Sequence, residues 1–70
     1  MDKNKVWEKG NIIKGRNPNL FRKDDFGKTI FKPSYGKSTE MGWAIEHIRP
    51  KSRGGTDHIR NLRPVNINLL

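Results

Sequence analysis

One run limits most strongly what this chain can fold into: Gly42-Trp43-Ala44-Ile45-Glu46-His47-Ile48, followed closely by Pro50. Its side chains alternate with the two-residue period of a strand. Trp43, Ile45 and His47 fall on one face, and Ala44, Glu46 and Ile48 on the other. Proline restricts the residue before it and removes a backbone donor, so the strand ends there. Lys51–Thr56 then reads as an open loop in which Gly54-Gly55 allows a sharp reversal. Asp57 is placed to cap a single helical turn through His58-Ile59-Arg60. Asn61-Leu62-Arg63-Pro64-Val65 starts the returning strand. The expected fold class is a small α+β or mainly β domain, organised around an antiparallel hairpin of Gly42–Ile48 and Leu62–Val65.

The flanks are less patterned. Met1–Lys5 is polar and reads as frayed. Val6-Trp7 is the first apolar pair, and Gly10 and Gly15 bracket a short strand at Asn11–Lys14. Gly15-Arg16-Asn17-Pro18-Asn19 is a turn. Leu20–Asp24 is extended or a single helical turn, and Asp25–Lys28 is another reversal. Thr29–Lys32 is β-prone, with Pro33 confining it to an edge or an end. Ser34–Met41 is a loop with Gly36 at a special backbone position. Asn66–Leu70 has room for barely one helical turn.

Seventy residues make one domain at most. Only 31% of them are apolar and the mean hydropathy is −0.93, so the core is small; chains of this kind often lean on a metal, a partner or oligomerisation. The absence of cysteine excludes disulfides and Cys-based zinc sites and fits a reducing, cytoplasmic setting. No apolar run reaches the length of a membrane span or a signal segment. The net charge of +8 calls for a polyanionic partner. Nucleic acid is favoured over membrane, because the basic residues lie in loops and not along an amphipathic helix.

The chemistry-bearing residues gather at the end of the best strand. Imidazole moves protons near neutral pH, so His47 is a candidate general base. Glu46 beside it can hold a hard divalent cation. Arg49, Lys51, Arg53, Arg60 and Arg63 surround this pair and are candidate contacts to a phosphate backbone. His58 has no recognised metal spacing to His47 and reads as an exposed turn residue. Gly36-Lys37-Ser38 is not a P-loop, because Phe31 stands where the first glycine belongs.

The run Glu46-His47-Ile48-Arg49-Pro50-Lys51-Ser52-Arg53-Gly54-Gly55-Thr56-Asp57, followed after three residues by Asn61-Leu62-Arg63-Pro64, resembles the HNH endonuclease family. Val6-Trp7-Glu8-Lys9-Gly10, Asn17-Pro18-Asn19, Arg22-Lys23-Asp24 and Tyr35-Gly36 resemble the N-terminal part of a bacterial subgroup of it. The resemblance implies a ββα-metal unit that hydrolyses DNA phosphodiester bonds with a divalent ion, Mg²⁺, Mn²⁺ or Zn²⁺. It makes His47 the general base, Glu46 the acidic metal ligand (more often Asp in the family), and Asn61 the residue that holds the loop and orients the base. It divides a single HNH-like domain, 1–70, into an N-terminal extension, 1–41, and a hairpin core, 42–70.

The chain departs from the family at the third metal-site residue. A His or Asn is expected on a helix near position 70, where Leu70 stands. Asn66 and Asn68 are the nearest polar candidates for that ligand. The expectation is a ββα unit whose final helix is truncated. It is read three ways: as a nuclease completed by a partner chain or a homodimer, as a catalytically inactive module binding DNA or protein and regulating another nuclease, or as an enzyme recruiting Asn66 or Asn68.

Overall fold

A computed structural model of the chain describes all residues, Met1–Leu70. A short helix, α1 (Lys3–Trp7), opens the fold. Strands β1 (Asn11–Ile12), β2 (Phe21–Lys23) and β3 (Thr29–Phe31) form an antiparallel meander in that order. Strands β4 (Trp43–His47) and β5 (Leu62–Asn66) form a separate antiparallel pair. A single 3-10 turn, Ile67–Leu69, follows β5. The class is small α+β with β predominating. No helix is long and apolar enough to cross a membrane.

The helix includes residues expected to fray. The Asp2 side chain caps it by accepting from the amides of Asn4 and Lys5, at 3.0 and 3.3 Å. Five residues are too few for a free helix. This one is held because Val6 and Trp7 are fully buried. Leu20–Asp24, ambiguous in sequence, resolves as extended β2. The strand expected over Asn11–Lys14 is shorter, ending at Ile12.

Val6, Trp7, Ile30, Trp43 and Leu62 form one buried cluster, with Ile45 packed against it. The N-terminal extension and the hairpin therefore share one core. The Trp7 and Trp43 rings lie 5.2 Å apart at 53°. Each indole N–H has a carbonyl partner, Pro18 for Trp7 at 2.9 Å and Lys32 for Trp43 at 3.0 Å, so both rings are buried without losing a hydrogen bond.

Polar residues join the two sheets. Asp24 is buried at the turn after β2, and its Oδ1 accepts from the amides of Phe26 and Lys28. Its Oδ2 accepts from the Asn66 amide at 2.8 Å, which fixes the far end of β5. Arg22 is also buried, donating to the carbonyls of Glu8, Gly10 and Pro18. No buried side-chain polar atom lacks a partner.

The hairpin register pairs Trp43 with Asn66, Ile45 with Pro64, Glu46 with Arg63 and His47 with Leu62. Pro64 is tolerated because a two-stranded sheet leaves each strand an open edge. β5 runs one residue beyond the expected end, to Asn66.

Candidate active site at the end of the hairpin

The loop between β4 and β5 is shaped by one side chain. Asn61 Oδ1 accepts from the Arg49 amide at 2.8 Å. Its Nδ2 donates to the carbonyls of Arg49 and Thr56, at 3.0 and 2.7 Å. Both ends of the loop are thus tied to the start of β5. Within the loop, Lys51–Arg53 form a 3-10 turn that ends at Gly54, whose φ is +86°. Gly55 lies so close to its neighbours that a Cβ there would sit 1.8 Å from the Arg49 carbonyl oxygen. The Gly-Gly pair therefore answers two needs, a left-handed backbone and a close approach.

His47 stands where β4 enters this loop, with a quarter of its side chain exposed (25%). Its Nε2 lies 2.7 Å from Asp57 Oδ1, and Lys51 Nζ donates to Asp57 Oδ2 at 2.9 Å. The hydrogen bonds from His47 and then Lys51 hold the Asp57 carboxyl below the usual carboxylate range. Asp57 was expected to cap the following turn, and it does not. The cap is His58, whose Nδ1 accepts from the Arg60 amide at 3.1 Å.

Glu46 points to the other face of the hairpin, as the alternation requires. The β4–β5 ladder stays regular through His47, and the amide of Ile48 still donates to the Asn61 carbonyl at 2.8 Å. Across the ladder, Arg63 Nε donates to Glu46 Oε2 at 2.8 Å. The same guanidinium lies 3.9 Å from Asp25 Oδ2 and 4.9 Å from the centre of the Phe26 ring. Glu46 shares a small cleft with Phe26, Val65 and Leu69. The final turn therefore does fold back over the hairpin, but it brings leucine to Glu46.

Asn66 and Asn68 are not brought to Glu46, which corrects their assignment as metal ligands. Asn66 pairs with Trp43, three residues along β4 from Glu46 and about 10 Å away at strand spacing. Its buried amide donates to the Thr29 and Glu40 carbonyls, and its Oδ1 caps the final turn through the Asn68 amide. Asn68 Nδ2 turns to the Thr39 and Glu40 carbonyls. Both side chains are committed to closing the opposite end of the hairpin.

The basic residues divide into two groups. Arg49 Nε donates to the Arg53 carbonyl at 2.7 Å, and Lys51 and Arg63 hold Asp57 and Glu46. These three brace the site. Arg53 and Arg60 are exposed on the loop and make no ion pair.

The donor set can be tested for a metal. No three His, Cys, Asp or Glu side chains come together anywhere in the chain. Zinc needs about four N, O or S ligands, three of them from the protein even in open catalytic sites, so the set does not fit zinc. Mg²⁺-type ions keep several waters and are commonly held by one or two carboxylates plus substrate phosphates. Glu46 fits that weaker arrangement only when Arg63 releases it.

Sequence reasoning missed Asp57 as a site residue. Its only signal was an acid ten residues after His47 and beyond a Gly-Gly reversal that can fold the loop back. Comparison with protein-family models, with curated proteins and with solved structures found no match for this chain.

Proposed function

We propose that the chain is a nucleic-acid phosphodiesterase of the HNH type, acting on DNA. The observation that carries this reading is the loop tied by Asn61, with His47 at its mouth and Arg53 and Arg60 free on its rim. A histidine beside an unpaired basic rim suits hydrolysis of a phosphate backbone, which needs a base for water and cations for the phosphate.

In this reading Arg53 and Arg60 seat the backbone. His47 takes a proton from a water, whose oxygen then bonds to phosphorus. The bond to the leaving sugar oxygen breaks, and that oxygen takes a proton from solvent. Glu46 is the residue that would hold Mg²⁺ or Mn²⁺, with phosphate oxygens and water completing the shell; it faces away from His47 across the hairpin, so the two serve one phosphate only if the end of β4 twists as Arg63 lets go. When bound, such an ion polarises the phosphate and steadies the leaving oxygen. Asn61 acts indirectly, by holding the loop that carries the rim.

A second reading has one observation in its favour. Arg63 holds the Glu46 carboxylate, and Glu46 faces away from His47, which suits a binding module that does not cleave. A nicking assay on supercoiled plasmid with Mg²⁺ or Mn²⁺ separates the two. Nicking by the native chain, lost in His47→Ala, supports the enzyme. Salt-dependent DNA binding without nicking supports the module. In either case log affinity should fall against log salt by about 0.9 per phosphate neutralised. A flat titration removes DNA as the partner.

A further inference from the structure

His47 is held by an acid, and the acid is itself held by a lysine. The distances are 2.7 Å for His47 Nε2 to Asp57 Oδ1 and 2.9 Å for Lys51 Nζ to Asp57 Oδ2. An ionised carboxylate only accepts hydrogen bonds. Nε2 must therefore carry a proton, and in the neutral ring Nδ1 is then the bare acceptor. Nδ1 of His47 makes no hydrogen bond within the protein.

We propose that Asp57 is a positioning residue for His47, fixing the tautomer that leaves Nδ1 to receive the proton from water, and that Lys51 in turn fixes which way Asp57 faces. The proton-transfer part rests on the nuclease reading above. The tautomer part does not.

The lysine gives the proposal an unusual consequence. In Asp57→Asn the side chain keeps its shape but has one oxygen and one NH₂ group. Lys51 has donors only, so the amide oxygen must face it. The NH₂ group is then turned towards His47 Nε2, which has to accept. The ring proton moves to Nδ1, and the acceptor needed for water is lost. Removing the ammonium with Lys51→Met frees the amide to turn, bringing its oxygen back to Nε2. A residue that merely pins the loop would not behave this way. Its loss would loosen the loop in both backgrounds without choosing a ring nitrogen.

The test uses the full chain. Long-range ¹H–¹⁵N spectra of the histidine rings are recorded with the rings neutral, for the native protein, Asp57→Asn, Lys51→Met and the double variant. His58 is an internal reference, because its Nδ1 accepts from the Arg60 amide, a contact made by neither Asp57 nor Lys51. The expected proton on His47 is at Nε2 in the native protein, at Nδ1 in Asp57→Asn, and again at Nε2 in the double variant. Turnover is measured on saturating duplex DNA with Mn²⁺, so that changes in binding drop out. Asp57→Asn should lose roughly 10- to 100-fold. The double variant should return to within a few-fold of Lys51→Met alone. A native ring protonated at Nδ1, or a ring unchanged by Asp57→Asn, overturns the proposal whether or not DNA is cleaved. The expected tautomers in a protein that cleaves nothing overturn the proton-transfer role together with the nuclease reading. Expected tautomers with full turnover in Asp57→Asn overturn the positioning role alone.

Discussion

Asn61 and Arg49 hold each other twice. The Arg49 amide donates to Asn61 Oδ1 at 2.8 Å, and Asn61 Nδ2 donates back to the Arg49 carbonyl at 3.0 Å. The side chain thus imitates one more residue of a β ladder, extending the hairpin past the end of its strands. With its third bond, to the Thr56 carbonyl, it decides where the loop begins and ends.

Asn61→Ala should therefore destabilise the chain by about 0.5–1.5 kcal/mol, the net worth of an ordinary hydrogen bond, because the backbone groups it releases are exposed to water. Asn61→Asp should do no better near neutral pH, because it keeps the acceptor but turns a carboxylate oxygen towards two carbonyls. Urea denaturation measures the loss, and amide exchange at Gly54 and Gly55 shows whether the loop opens first. Native stability in Asn61→Ala would show that the loop holds its shape by other means.

Gly55→Ala should be among the most damaging loop substitutions. The added methyl would meet the Arg49 carbonyl oxygen at 1.8 Å, a backbone atom that cannot rotate away. A cost of about 1–3 kcal/mol or more is expected for such overpacking. Gly54→Ala meets only the far end of the Arg49 side chain, at 4.0 Å, and carries the cost of a positive φ, so it should be milder. A thermal melt of the two variants gives the order directly.

These two loop positions also show where sequence reasoning succeeds. The Gly-Gly reversal and the strand before it were legible because strand period and glycine freedom are local properties. So was the division of Glu46 and His47 between faces. The α1 helix was not legible, because five residues carry no helical signal. It exists through the Asp2 cap and the burial of Val6 and Trp7 in a core made mostly elsewhere. Asp57 was misread for a related reason. Its local preference is to cap, but His47 and Lys51 hold it from across the loop, and His58 takes the cap. The roles of Asn66 and Asn68 depended on contacts with Asp24, Thr29, Thr39 and Glu40, all distant in the chain.

Asp24→Ala tests the join between the sheets. It removes the acceptors for the Phe26, Lys28 and Asn66 amides. The last of these is a buried contact, so a loss of roughly 1–3 kcal/mol is expected from it alone. Heteronuclear NMR should show shifts at the β2–β3 turn and at the β4–β5 end near Asn66, while Asn61 and its loop stay unchanged. Shifts confined to the β2–β3 turn would show that the sheets are joined by apolar packing alone.

Acid should loosen the loop before it unfolds the core. The folded pKa of Asp57 lies below its unfolded value, because His47 and Lys51 favour the carboxylate. The sign follows from linkage. Its contribution is fully present above the ordinary aspartate value of about 3.9 and is lost as pH falls through the lower folded value. Side-chain carbonyl shifts should report Asp57 titrating below that value, with the Lys51 and His47 resonances moving alongside it. In Lys51→Met the midpoint should rise towards the ordinary value. An unchanged midpoint would mean that His47 alone holds the carboxylate.

Arg63→Ala addresses the lock on Glu46. The guanidinium lies between Glu46 and Asp25, where a bound cation would also be drawn, and it rests against Phe26. The pair is partly exposed, with 24% and 32% of the two side chains accessible, so its stability contribution is modest, about 0–1 kcal/mol. Its effect on ion binding should be larger than its effect on folding. In the native chain a divalent ion competes with an internal cation for the Glu46 and Asp25 carboxylates, so the free protein should bind Mn²⁺ only weakly. Arg63→Ala should let the free protein take up Mn²⁺ more tightly, by isothermal titration calorimetry without DNA, and Glu46→Gln in that background should abolish the gain. Equal Mn²⁺ binding with and without Arg63 would show that the arginine does not guard Glu46.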